Sequence, residues 1–215
     1  MIEVMKKAIF FDLDGTLWDA LVPLTESWNK AMEEYGYHFR FNLLKMKSFM
    51  GLTPIETVPL AFENVSIEKG LELFKICLDA EIKYLATNPG KLYDNEIKVL
   101  EELSKKYPLY VVSNSDKGYI ENYLTACNTN KYFKGHLCAG DTNLDKWQNI
   151  KLLQEKEEID EVIYVGDTLK DMNESHKAGV KFVHASYGFG IIENPDFKIN
   201  SLNELIPLVT KIFND

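Results

Sequence analysis

The chain has 215 residues, 46% of them hydrophobic and 12% aromatic, with 24 Lys and Arg against 33 Asp and Glu for a formal charge of −9. That length and apolar content suffice for a full core, while the negative balance, with no basic stripe, argues against a nucleic-acid polymer or an anionic membrane surface as partner. Three widely spaced cysteines suggest neither a disulfide framework nor a zinc site, and with no signal-like start or bilayer-length apolar run a cytoplasmic protein is expected.

In chain order, residues 8–11 form a short continuous apolar run, the character of a strand buried on both faces of a parallel sheet. Strand signals then stop. Leu24, Trp28, Ala31, Met32 and Tyr35 keep helical spacing as far as Gly36, and Ser66 opens a second helical pattern through Leu71, Phe74, Leu78, Ile82 and Leu85. Residues 19–88 therefore read as an all-helical insertion, with Asn88-Pro89-Gly90 as its return hinge, leaving residues 1–18 and 89–215 for the main domain. Residues 94–107 predict a helix with Ile97, Leu100 and Leu103 on one face, lysines in its last turn and Pro108 beyond. It leads into a second apolar run at 109–112. A third run lies at 162–165, and 181–184 and 197–199 are further short strands. Ser201 and Glu204 have capping-box spacing ahead of a closing helix with Leu205, Leu208, Val209 and Ile212. The alternation is that of an α/β protein, a Rossmann-like three-layer core with a central parallel sheet plus an inserted helical domain.

In such a sheet ligands collect beyond the carboxyl ends of the strands. The first run ends in Phe10-Phe11-Asp12-Leu13-Asp14-Gly15-Thr16-Leu17, two carboxylates at a strand end. They raise each other's proton affinity unless a cation intervenes, and oxygen ligands of this kind suit magnesium. A calcium-binding EF-hand would need Gly and Glu where Leu17 and Pro23 stand. A purely structural turn cap is the plainer alternative. Val111-Val112-Ser113-Asn114-Ser115 puts a hydroxyl and an amide at the second strand end, although serine there is often only a helix cap. Tyr164-Val165-Gly166-Asp167-Thr168-Leu169-Lys170-Asp171 places two aspartates four apart, close enough in sequence to reach one cation. Between these lies a polar loop with Lys146, either a phosphate ligand or a solvated lysine.

These four stretches, in this order, resemble the four motifs of the haloacid dehalogenase (HAD) superfamily of hydrolases. The helical insertion after the first motif, with Phe49-Met50-Gly51-Leu52-Thr53-Pro54, is similar to the cap of the phosphoglycolate-phosphatase-like branch, as is Tyr187-Gly188-Phe189-Gly190. One departure is Trp147, which follows Lys146 where relatives usually carry proline. The resemblance implies a Mg2+-dependent phosphatase acting on a small phosphorylated metabolite through an aspartyl-phosphate. Asp12 is then the nucleophile and Asp14 the general acid and base. Ser113, Asn114 and Lys146 bind phosphate, and Asp12, Asp14 (through its carbonyl), Asp167 and Asp171 hold the metal. Gly15 and Thr16 serve the turn, with the Thr16 hydroxyl bonding back to the loop. Asp19 lies near the cap hinge. Trp18, Arg40, Lys45, Lys47 and Phe49 are the candidates for contact with the leaving group, being basic or aromatic and near the hinge or in the early cap. The alternatives within the same superfamily are a phosphomutase of the β-phosphoglucomutase type, a pyrophosphatase or a nucleotidase. The mutase is disfavoured because Lys45-Met46-Lys47 with a lone Arg40 is a poor match to an arginine-rich specificity loop.

Overall fold

The computed structural model describes residues 5–214. Its main sheet has six parallel strands, β1 (Lys7–Phe11), β4 (Leu109–Ser113), β5 (Phe133–Cys138), β6 (Glu161–Gly166), β7 (Lys181–Ala185) and β8 (Phe197–Ile199), in the order β5-β4-β1-β6-β7-β8. A separate antiparallel pair, β2 (Trp18–Asp19) and β3 (Lys91–Leu92), closes where the chain leaves and re-enters the sheet domain. Between them lie only helices: α1 (Leu21–Glu34), α2 (Leu43–Lys47), α3 (Pro54–Ala61) and α4 (Ile67–Leu85). The remaining helices are α5 (Glu96–Ser104), α6 (Tyr119–Ala126), the short α7 (Ala139–Thr142), α8 (Lys146–Lys156), α9 (Leu169–Ala178) and α10 (Leu205–Asn214). None of the described helices is long and apolar enough to cross a membrane.

The continuous apolar runs are explained by burial on both faces. Ile9, Phe11, Leu109, Val111, Ile163 and Val165 face one core, shared with α5, α6 and α10. Their neighbours Ala8, Phe10, Tyr110, Val112, Val162 and Tyr164 face a second core under α8 and α9. Helices on both sides of a parallel sheet give the expected three layers. The inserted helices have their own centre at Trp28, which stacks with Phe49 at 5.8 Å and meets Phe41 and Phe74 edge-on at 5.2 and 5.5 Å.

Several local expectations shift. Strand β5 was not anticipated, because Lys134, Gly135 and His136 dilute its apolar character and it lies half-buried at the sheet edge. In α5 the inward residues are Glu96, Val99, Leu100 and Leu103, while Ile97 is exposed. In α4 they are Leu73, Cys77, Glu81 and Leu85, so Leu71, Phe74, Leu78 and Ile82 sit beside the buried stripe rather than on it. Tyr35 is exposed just past the end of α1. The Ser201 hydroxyl caps nothing, and a single 3-10 turn intervenes before α10. Glu204 accepts instead from the Asn200 amide at 2.9 Å.

Glu96 is an acid at the bottom of a core. Its side chain accepts from the Tyr123 hydroxyl at 2.6 Å, while Oε2 is buried with no partner among the described residues. Burial pushes this carboxyl from the usual 4.5 up to about 8. Between these values the unfolded chain releases a proton that the folded chain keeps, so stability falls as pH rises through that window. Glu96→Gln keeps an acceptor for Tyr123 and removes that slope. The melting temperature of the variant relative to the parent is expected to rise steadily from about pH 5 to about pH 8, as scanning calorimetry across that range would measure; a constant offset would contradict it.

Candidate active site

Three adjacent strands deliver the polar residues to one edge. Asp12 follows β1, its amide extending the ladder to the Val165 carbonyl at 2.8 Å, Ser113 ends β4 and Asp167 follows β6. Asp171 lies in the first turn of α9, where Thr168 and Asp171 form a reciprocal capping box: the Asp171 amide donates to Thr168 Oγ1 at 3.1 Å, and Asp171 Oδ2 accepts from the Thr168 amide at 3.0 Å and its hydroxyl at 2.6 Å. Lys146 begins α8 and is 2% exposed. Its Nζ lies 2.7 Å from Asp12 Oδ1 and 2.5 Å from Asp171 Oδ1.

The carboxylates of Asp12, Asp167 and Asp171 come within 4.8 Å of one another. Burial opposes charge on all of them. The Lys146 ammonium nevertheless holds Asp171 below the ordinary carboxylate range, and the two acids keep Lys146 firmly protonated despite its burial. Asp167 has no such partner. It is 0% exposed, Oδ2 accepts from the Phe189 amide at 2.6 Å, and Oδ1 is buried with no hydrogen bond among the described residues. Burial, then Asp171 and Asp12, drive its proton affinity well up. An all-oxygen cluster with one orphaned carboxylate oxygen and excess negative charge fits a hard divalent cation.

Two glycines allow the loops to close on Asp167. At Gly15, with φ of +80°, a Cβ would lie 2.2 Å from Asp167 Oδ2; at Gly188 it would meet the Gly15 carbonyl at 2.3 Å and the Asp167 Cβ at 2.5 Å. The Tyr187 to Gly190 stretch is thus the wall behind Asp167. The Thr16 hydroxyl does not bond back to the loop: it is buried without a partner among the described residues, and the Thr16 carbonyl accepts from Tyr187. Trp147, in the place of the usual proline, uses its amide to bond Glu174 Oε2 at 3.1 Å at the start of α8.

Asp14 stands apart from the triad. Its Oδ1 accepts from Trp18 Nε1 at 3.0 Å and from the Tyr119 hydroxyl at 2.9 Å. Burial first, then the Asp12 charge, pushes its carboxyl up to about 7. Asp12, Asp14, Ser113, Asn114 and Lys146 all line one cavity of about 460 Å³ between the sheet edge and the inserted helices. Ser113 Oγ accepts from the Ser115 amide at 3.2 Å, and Asn114 Nδ2 reaches the Gly51 carbonyl across the cavity mouth at 3.5 Å.

Of the five leaving-group candidates, the structure brings only Phe49 to the cavity wall. Trp18 is fully buried between Tyr119 and Tyr123 and positions Asp14. Arg40 bonds backbone carbonyls of Tyr37 and Phe39, Lys45 reaches the Ala61 carbonyl, and Lys47 lies over the Phe189 ring. Asp19 caps the Leu21 amide at the start of α1. Sequence reasoning missed Tyr119 and Glu81, which both line the cavity. Nothing local marks Tyr119, whereas Glu81, three residues after Leu78 on a largely apolar helix face, was a readable anomaly.

The model of the haloacid dehalogenase-like hydrolase family matches residues 9–185. The phosphoglycolate phosphatase of Vibrio parahaemolyticus is 28% identical over 94% of this chain and 96% of its own length, and that of Haemophilus influenzae strain 86-028NP is 28% identical over 94% and 98%. A haloacid dehalogenase-like hydrolase from Streptococcus pneumoniae has the same fold, with a TM-score of 0.80 at 22% identity over 95% of this chain and 98% of that one.

Lys146→Met would leave Asp12 and Asp171 buried without their counter-charge. A loss of about 3–5 kcal/mol in unfolding free energy is expected at neutral pH, shrinking in acid as the two carboxyls become protonated. Denaturant titration at two pH values measures both, and a stability equal to that of the parent would contradict the assigned pairing.

Proposed function

The chain belongs to the haloacid dehalogenase-like hydrolase family, and from that premise we propose that it is a phosphatase that hydrolyses small phosphate monoesters through an aspartyl-phosphate on Asp12, with Mg2+ as cofactor. The observation that carries this reading is the shared cavity floor, where Asp12 and Lys146 meet at 2.7 Å beside Asp14. Residues 1–18 and 89–215 act as the catalytic domain and 19–88 as a cap. The β2·β3 pair is its hinge, and the Glu56–Lys170 ion pair, 2.8 Å long, is one latch across the cleft.

The Asp12 carboxylate attacks phosphorus in line, the phosphorus–ester oxygen bond breaks, and Asp14 gives its proton to the departing alkoxide. Asp14 then takes a proton from the water that attacks the acyl phosphate, releasing inorganic phosphate and restoring Asp12. A carboxyl raised to about 7 suits a group that must both give and take a proton near neutrality. Lys146, Ser113 and Asn114 receive the non-bridging oxygens. Asp12, Asp167 and the Asp14 carbonyl would hold Mg2+, with Asp171 as a further ligand, and the bound ion would offset the charge of nucleophile and phosphate. Trp18 and Tyr119 fix the Asp14 rotamer, and the apolar cap wall excludes bulk water. Release of free phosphate, rather than its return to a sugar, separates this reading from a mutase.

Asp12→Asn is expected to abolish phosphate release from every monoester, and chelation of divalent cations to do the same to the parent protein. Asp14→Asn should cost roughly 10²–10⁴-fold on alkyl phosphates. On p-nitrophenyl phosphate, whose leaving group departs without a proton, the same variant should give a burst of one p-nitrophenolate per active site and then stall at the aspartyl-phosphate. A stopped-flow trace without a burst, together with an unaltered steady-state rate, would contradict the role given to Asp14.

A further inference from the structure

The cavity has two unlike walls. Its floor carries Asp12, Asp14, Ser113 and Lys146. The wall built from the segment between β2 and β3 is mainly apolar, with Leu24, Trp28, Phe49, Met50, Phe74 and Leu78 beside Thr57, and Glu81 is the one charged residue that this segment presents to it. No lysine or arginine of the helical segment lines the cavity. Lys146, the single cation lining the cavity among the described residues, already faces two carboxylates.

Glu81 is 6% exposed. Trp28 Nε1 donates to Oε2 at 2.7 Å, and Oε1 carries no hydrogen bond among the described residues, although the side chain lies on the cavity wall. Trp28 in turn is clamped by the rings of Phe41, Phe49 and Phe74, so the carboxyl is held in place rather than free to swing into solvent.

Resting on the phosphatase reading above, we propose that Glu81 selects the leaving group: the site takes monoesters of an apolar alcohol that carries a hydrogen-bond donor, an ammonium or a hydroxyl, to Glu81, and rejects esters whose leaving group bears a carboxylate or a second phosphate. The physical reason is desolvation. An anionic leaving group would be stripped of water against an apolar wall, close to Glu81 and Asp116, with no cation to receive it. Burial first, then the charges of Asp14 and Asp116, pushes the Glu81 carboxyl up to about 8. Protonated, it offers one donor, and ionised it adds a negative charge; neither form offsets an anion, whereas an ammonium pairs with the ionised form. A volume of about 460 Å³ also exceeds the needs of a two-carbon alcohol such as glycolate.

Three benzyl phosphates that differ only in the para substituent, aminomethyl, hydroxymethyl or carboxylate, test this with the full-length protein and Mg2+ at neutral pH. The aminomethyl and hydroxymethyl esters are expected to exceed the carboxylate ester by roughly tenfold or more in kcat/KM, with the difference mainly in KM. Glu81→Gln, which keeps an acceptor for Trp28, should reduce the advantage of the aminomethyl over the carboxylate ester by about tenfold. A carboxylate ester turned over as fast as the other two by the parent protein overturns the inference while leaving the phosphatase reading intact, as does an unchanged ratio in the folded variant. Absence of phosphate release from all three esters and from p-nitrophenyl phosphate overturns both.

Discussion

Asp12, Asp167 and Asp171 hold three buried carboxylates within 4.8 Å of one another, and the Lys146 ammonium is the protein's own counter-charge. Burying so much like charge is costly, and one lysine balances only part of it. The remainder is concentrated on Asp167, whose Oδ1 has no partner among the described residues. The architecture around the sheet edge follows from that imbalance. Parallel strands β1 and β6 bring Asp12 and Asp167 side by side, the Thr168 box fixes Asp171, and α8 starts where its first residue can reach both ends of the cluster. The glycines of the adjoining loops let the backbone close over Asp167, so its carboxylate is shut off from bulk solvent.

A second constraint governs Asp14. Its carboxyl belongs to the same loop as Asp12 but is drawn out of the acidic cluster by two donors, the indole of Trp18 and the phenol of Tyr119. Two aspartates one residue apart therefore differ in environment, one paired with an ammonium and the other with neutral donors. Such divergence lets neighbouring acids take different parts in one reaction. Trp18 also belongs to the two-residue β2·β3 pair, so the element that sets the Asp14 rotamer is part of the connection to the inserted helices.

The inserted helices repeat the theme in reverse. Their interior is aromatic, centred on Trp28, and the polar edge of that indole is satisfied by Glu81, a carboxylate that would otherwise have no reason to sit among Phe74, Cys77 and Leu78. The cavity therefore carries acidic residues on both sides, while its one lysine among the described residues, Lys146, sits at the sheet edge. A phosphoryl group has one place in it where charge is answered.

What the sequence by itself determined was everything set by short-range periodicity and strand-end position: the doubly buried runs at β1, β4 and β6, the helical character of the insertion, and the carboxylates and serine at successive strand ends, with Lys146 in a polar stretch between them. These are local properties, since a strand buried on both faces must be continuously apolar and the residue after it must emerge at the sheet edge. Edge strand β5 escaped because a half-exposed strand carries little apolar signal, and the faces of α4 and α5 were misjudged by about one residue because amphipathic spacing fixes a stripe less sharply than packing does. Only the tertiary structure decided that Lys146 spans Asp12 and Asp171, that Tyr119 restrains Asp14, that Arg40, Lys45 and Lys47 turn away from the cavity, and that Glu81 turns into it. Those outcomes depend on how helices distant in sequence cross one another, and a side chain's direction on such a helix is set by what it must pack against, which no local spacing encodes.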